Sequence, residues 1–185
     1  MEHFLDPGYL GHAGSAKFNG VQALRLANAD VLPFHYSDYA AAVKSYVDDL
    51  EQVQAETPGA AQVDLSPLTD AAQDWGAASQ RLESHAGAVL AAGDTESQSA
   101  SRAIARINTA LMKQERALIT SRGLPGRPWF RHQIYAPGLV TGYAVQYLPG
   151  MRDAVEQGDE QTARTYRDLL LDSLRAATRL AERGA

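Results

Sequence analysis

The chain has no cysteine, which excludes disulfides and thiolate metal sites outright while leaving the compartment open, secreted or periplasmic settings included. Long hydrophobic runs are missing as well. Nothing approaches the roughly 18 apolar residues of a membrane span, and no basic stretch followed by an apolar one marks a signal peptide at the N-terminus. Basic charge is in short supply: 17 Lys and Arg face 22 Asp and Glu, for a net charge of -5. A nucleic-acid partner would ask for a basic face on a basic chain, so none is expected. Runs of Val, Ile and Thr are scarce, and strands draw on such residues. Reactive motifs are absent too: no His-Glu-x-x-His, no Gly-x-Ser-x-Gly elbow, no phosphate loop, no dinucleotide fingerprint. The histidines, His3, His12, His35, His85 and His132, have no metal-ligand spacing.

What is present is helix-forming. Alanine, the best helix former, is abundant, and 185 residues suit one domain or one domain with an extended arm. Residues 11–31 read as a first helix with a small-residue stripe of Ala13, Ala16, Gly20, Ala23 and Ala27, ended by Pro33 because the residue before proline leaves the helical region. Ser37 then reads as an N-cap, followed by Tyr39, Val43, Tyr46, Val47 and Leu50 at helical spacing up to Pro58-Gly59. Ser66 caps a third helix with Pro67 at its permitted first position and Leu68, Ala71, Ala72, Trp75, Ala78, Leu82, His85 and Val89 as its stripe. Thr95 opens a fourth helix with Ile104, Ile107, Leu111 and Leu118. A last helix starts at Asp159, or at a short turn of helix before it, and carries Ala163, Tyr166, Leu170, Leu174, Ala177 and Ala181. The expectation is an all-α fold: a bundle of four long helices plus an N-terminal helix.

Residues 120–150 break that pattern. Bundles join helices with a handful of residues, yet about thirty intervene here, with Trp129, Phe130, Tyr135, Tyr143 and Tyr147 among four prolines. Aromatic residues at that density ask for burial, which disordered segments lack. From Arg116 to Arg152 there is no Asp or Glu, but there are Arg116, Arg122, Arg127, Arg131 and Arg152. A long ordered loop before the last helix is where function is expected. Its arginines pair with acidic residues on the plainer reading and bind an anion on the sharper one, since the guanidinium fork fits carboxylates. The plainer reading also covers His85 as a hydrogen-bonded core histidine, Asp48, Asp49 and Glu51 as a solvated face, and Glu115 as an ion-pair partner of Arg116. No catalytic residue and no metal ligand follows from the residues themselves.

A family resemblance rests on particular strings. Glu115-Arg116-Ala117, Gly123-Leu124-Pro125, Arg127-Pro128, Phe130-Arg131-His132, Ile134-Tyr135-Ala136-Pro137, Tyr143 and Pro149-Gly150 resemble the C-terminal helical domain of the glutamate carboxypeptidase II and transferrin receptor family. Phe4-Leu5-Asp6-Pro7, Leu26-Ala27-Asn28, Val31-Leu32-Pro33-Phe34 and Asp38-Tyr39-Ala40 resemble the same family in the same order. The resemblance implies a transferrin receptor-like dimerisation domain over 1–185, with residues 1–10 as the tail end of a preceding peptidase region. It implies a homodimer, no cofactor in this chain, and zinc in the missing peptidase domain. It also implies a peptide substrate whose C-terminal carboxylate is met by the long loop. Tyr143 stands where the family has a substrate-binding tyrosine, and Gly142 stands where it has a lysine, a departure that removes a cation from the carboxylate site.

The leading expectation is therefore a dimerisation and substrate-pocket-lining domain of a zinc-dependent carboxypeptidase-like parent, without the catalytic centre itself. The alternative is a receptor-like or standalone binding module with no peptidase in the parent. A third reading, an autonomous helical enzyme, has no catalytic constellation to rest on.

Overall fold

The computed structural model describes residues 6–139, 142 and 144–185, which fall into two compact units, one ending at Phe34 and one running from His35 to Ala185. The first unit holds one long helix, α1 (Leu10–Ala27). Asp6 fastens its start: the carboxylate accepts from the backbone N–H groups of Gly11 at 2.8 Å and His12 at 3.0 Å, and from the His12 ring. An anion there complements the positive end of the helix dipole, and these bonds hold the Asp6 carboxyl below its usual range, that from the His12 side chain most of all. The periodicity predicts a helix to residue 31. The chain leaves it after Ala27 because Asn28 caps the end, its backbone N–H and its side-chain amide (2.8 Å) both returning to the Leu24 carbonyl. Within its own unit no residue of α1 is buried.

The second unit is built from α2 (Tyr36–Glu56), α3 (Ser66–Ala91), α4 (Gln98–Ala117), α5 (Pro149–Glu156) and α6 (Glu160–Gly184). A two-stranded antiparallel ribbon, β1 (Tyr135–Pro137) and β2 (Val145–Tyr147), sets Tyr135 opposite Tyr147 and Pro137 opposite Val145. α3 packs against α2 and α6, α4 packs chiefly on α6, and α5 rests on α6 and α2. The predicted stripes face inward: Val43, Val47 and Leu50, then Leu68, Trp75 and Leu82, Ile107 and Leu111, Leu170 and Leu174 are all buried. Each such side chain removed from water contributes roughly 1.5–3 kcal/mol. The expected mostly helical bundle is present, with α5 and the ribbon added inside the long connection.

The bundle is tight where α6 ends. A Cβ on Gly184 would sit 2.6 Å from Ala110 Cβ and 2.8 Å from Leu82 Cδ1, so glycine lets α6 reach between α3 and α4. One polar pin crosses the core, with Trp75 Nε1 donating to Gln114 Oε1 at 2.8 Å and Ser79 Oγ donating to the same oxygen at 3.2 Å. His85 is half-buried and meets Arg106 Nη2 at 3.4 Å, a contact at the α3–α4 surface rather than the core position expected.

Helix starts differ from the sequence reading in an instructive way. Ser37 does not cap α2, because the helix begins at Tyr36 and Ser37 lies inside it. Its backbone N–H and hydroxyl instead donate to the Glu83 carboxylate of α3, at 3.0 and 2.6 Å. Ser66 is the first residue of α3, and its own N–H and hydroxyl donate to Asp64 Oδ1 at 3.0 and 2.7 Å, so Asp64 secures that turn. Ser97, not Thr95, caps α4 by accepting from the Ala100 N–H at 3.3 Å. The last helix starts at Asp159 as expected, and Asp159 caps it by accepting from the Thr162 N–H at 3.0 Å.

Candidate functional site

The connection from Leu118 to Leu148 is held by three separate fastenings. The first is at its root. Gln133 N–H donates to the Leu118 carbonyl at 3.0 Å and Thr120 N–H to the Arg131 carbonyl at 3.0 Å, closing a hairpin. That hairpin turns tightly at Gly123, whose φ is +68° and where a Cβ would lie 2.1 Å from the Pro128 carbonyl oxygen, so only glycine fits.

The second fastening is Tyr166 of α6. Its hydroxyl donates to the Gly123 carbonyl at 2.8 Å, and its ring lies so close to Gly150 that a Cβ there would fall 2.4 Å from the ring carbon Cδ1. One tyrosine thus clamps both ends of the connection to the last helix. Burial raises its phenol, opposed by the nearby Arg122.

The third is a buried charge pair. Arg127 Nη2 donates to Asp153 Oδ2 of α5 at 2.6 Å, with 5% and 6% of the two side chains exposed. Its Nη1 donates to the Pro137 carbonyl at the end of β1, and Gln146 of β2 donates to Asp153 Oδ1 at 2.9 Å. Both strands of the ribbon are therefore tied through side chains to one carboxylate. Leu148, buried at φ +49°, carries the chain from β2 into α5, and its N–H donates to the Ile134 carbonyl at 2.7 Å.

On this base the ribbon carries a loop at 138–144. Gly138 N–H donates to the Ala144 carbonyl at 3.0 Å and Gly142 N–H to the Gly138 carbonyl at 3.1 Å. Gly142 has φ +61° with open space where a Cβ would go. Tyr143, the residue matched to the family tyrosine, lies outside the described residues. Beside the loop is an open cleft of about 540 Å³ lined by Gly138, Leu139, Gln146, Arg152, Asp153 and Glu156 among others. Arg152 is already engaged there, by Asp49 of α2 and by Glu156 at 3.6 Å. The carboxylates of Asp49, Asp153 and Glu156 outnumber the lining cation, so the cleft does not by itself attract an anionic ligand.

Along α2 and α4 the ribbon meets an aromatic and acidic cluster. Tyr147 stacks on Tyr46 with ring centres 3.9 Å apart, and Tyr135 stacks on His132 at 4.2 Å. Glu115 accepts from the Tyr135 hydroxyl at 2.9 Å and meets His132 Nε2 at 3.0 Å. His132 Nδ1 accepts the Ile134 N–H at 3.2 Å, which assigns the ring proton to Nε2 facing Glu115. The bond from His132 above all holds the Glu115 carboxyl below its usual range, with Tyr135 acting the same way. Burial pushes the Tyr36 phenol up to about 12 and raises that of Tyr39 further. The expected Glu115–Arg116 pair does not form. His132 and Tyr135 take Glu115 instead, because the hairpin root brings them alongside α4.

Two of the five loop arginines, Arg127 and Arg152, pair with carboxylates as the plainer reading has it. Arg116, Arg122 and Arg131 pair with no carboxylate among the described residues. The Arg127–Asp153 pair escapes sequence reasoning, although Asp153 is the first acid after the acid-free stretch. Among the described residues no group of three or more His, Asp or Glu side chains is placed to hold a metal ion, and no helix is long and apolar enough to cross a membrane.

Comparison with known proteins gives this geometry a family. The model of the transferrin receptor-like dimerisation domain matches residues 63–182. The chain is 32% identical over 156 residues to a probable glutamate carboxypeptidase of Arabidopsis thaliana, covering 84% of this chain and 21% of that protein. It is 28% identical over 166 residues to a probable glutamate carboxypeptidase of Arthroderma benhamiae, covering 90% and 22%. It is 27% identical over 160 residues to the aminopeptidase NAALADL1 of Rattus norvegicus, covering 86% and 20%. The chain spans about a fifth of the length of these curated relatives.

Proposed function

Because the chain belongs to the transferrin receptor-like dimerisation domain family, we propose that it serves a zinc-dependent, glutamate carboxypeptidase-like peptidase in two ways, by joining two protomers and by lining the substrate pocket. The relatives named as carboxypeptidases and an aminopeptidase support a peptidase parent. Zinc would belong to a preceding domain, since the described residues here offer no ligand set. Residues 1–10 are read as the end of that region.

The observation that carries the pocket-lining reading is the foot beneath loop 138–144. Arg127, Asp153 and Gln146 fix both strands of a ribbon too short to be stable alone, and fixed strands leave less freedom to lose when a ligand binds between or beyond them. From that loop Tyr143 would donate its phenol proton to the C-terminal carboxylate of a peptide substrate. Hydrogen bonds to charged groups contribute roughly 1.5–3 kcal/mol. In the full-length protein, Tyr143→Phe is expected to raise KM about tenfold or more with the fold intact. An unchanged KM together with a lowered melting temperature would assign Tyr143 to packing and remove it from the site. Gly142 leaves the carboxylate without a cation, so preference for a C-terminal glutamate is expected to be weak and to strengthen in Gly142→Lys. That variant also bears about 1 kcal/mol of backbone strain at its left-handed φ.

A further inference from the structure

Where the end of α6 lies along α4, an open groove of about 330 Å³ runs between the two helices. Small residues bring the helices together there. Ala110 and Gly184 are buried, and a Cβ on Gly184 would come within 2.6 Å of Ala110 Cβ. Long side chains make the walls. Arg106 and Lys113 are seven residues apart on α4, about two turns along one face, and Arg183 lines the groove from α6. All three are exposed.

Every charged residue that lines this groove is a cation, and none of the three pairs with a carboxylate among the described residues. Carboxylates are not scarce, since the chain has 22 Asp and Glu against 17 Lys and Arg. Glu182, beside Arg183 in sequence, is turned to Arg81 at 3.7 Å. Arg106 donates to His85 Nε2 of α3 at 3.4 Å, which occupies one of its five N–H donors. Other depressions on the bundle are mixed in charge. The groove between α3 and α6 sets Asp70 and Asp74 against Arg175 and Arg179.

Like charges on the walls of one groove repel each other, and an anion seated among them removes that repulsion. Guanidinium forks meet phosphate oxygens two at a time, and an ammonium meets phosphate as a point charge. A carboxylate brings one charge and two oxygens to three cations. A phosphate group brings about −1.5 to −2 and three acceptor oxygens at neutral pH, which is the closer match. The volume is at the lower end of small-molecule sites, roughly 300–1,000 Å³, so the ligand is small.

We propose that the groove between α4 and α6 binds a small phosphate-bearing anion, held by Arg106 and Lys113 from one helix and Arg183 from the other. The anion ties the end of α6 to α4 beyond what packing at Gly184 provides. The site shares no residue with the cleft beside loop 138–144, and it does not depend on the peptidase reading.

Isothermal titration calorimetry of the 185-residue chain with inorganic phosphate, glycerol 3-phosphate and acetate at one ionic strength tests this, beside thermal melts in the same solutions. Both phosphates should bind at a single saturable site, more weakly as salt rises. They should raise the melting temperature as their concentration grows, and acetate should do neither. Equal affinities assign the site to the free phosphate group and a tighter ester to an organic phosphate, and either result upholds the proposal. Arg106→Gln combined with Lys113→Gln should weaken binding by about tenfold or more, as should Arg183→Gln alone. Neither variant should lower the melting temperature in phosphate-free buffer. Arg175→Gln, in the neighbouring groove, should leave the affinity unchanged. Absence of saturable binding, binding matched by acetate, or an unchanged affinity in the α4 double variant overturns the proposal.

Discussion

Arg127 and Asp153 keep 5% and 6% of their side-chain surface in solvent, and at that depth a charge without its partner is costly. Removing one member of a buried pair costs about 3–5 kcal/mol, whereas replacing both with apolar groups is often close to neutral. Asp153→Ala should therefore lower stability by about 3–5 kcal/mol in denaturant titration, because it strands the guanidinium and releases Gln146. Arg127→Met combined with Asp153→Leu should lose much less. Equal losses in the single and double variants would show that the pair is not what holds the ribbon. The sequence makes part of this legible: an acid-free, arginine-rich stretch ending at Asp153 announces that some arginine will pair. It does not say which one. That depends on chain reversals at Gly123 and Gly126, both at φ +68°, and on Tyr166 arriving from 43 residues away.

At the scale of elements, helical stripes are legible and helix ends are less so. Trp75, Leu82, Ile107 and Leu174 face the core as their spacing requires, because burial of a stripe is a sum over many residues and survives local exceptions. A cap is a single bond, and a nearby long-range acceptor can win it. Ser37 meets Glu83 across the α2–α3 contact, so its hydroxyl joins two helices rather than starting one. Asp159 has no such competitor, and its bonds from Thr162 lower its carboxyl below the usual range. Asp159→Ala should accordingly cost about 1 kcal/mol, the usual loss for a helix cap. Ser37→Ala should be costly only while Glu83 is present. A double-mutant cycle measured by thermal or chemical unfolding separates the two cases, and additive effects of Ser37→Ala and Glu83→Ala would refute the tie. The ribbon was not foreseen for the same reason: Tyr135–Pro137 and Val145–Tyr147 are three residues each, too short for any period, and their pairing is secured by side chains from α5 and the hairpin.

Over the whole molecule, the apolar interior begins at Tyr36. Every hydrophobic residue counted as buried lies at or beyond it among the described residues, while Leu10, Phe18, Val21, Leu24 and Leu26 of α1 are exposed. A helix that is apolar on several faces is made to be buried, and α1 has no buried residue within its own unit. Most helical stability in proteins comes from packing an apolar face rather than from propensity. The unit from His35 to Ala185 has what independent folding needs: a continuous core across α2, α3, α4 and α6, a capped last helix, and the three fastenings of its long loop. A chain beginning at His35 should therefore unfold in one cooperative transition with a melting temperature within a few degrees of that of the 185-residue chain. It should also stay soluble at higher concentration, because α1 carries apolar side chains that its own unit does not bury, and exposed apolar surface promotes association. Circular dichroism melts and light scattering of the two chains make the comparison. Loss of the cooperative transition on removing residues 1–34 would show that α1 supports the bundle, and the apolar residues of α1 would then belong to this fold rather than to a contact made outside it.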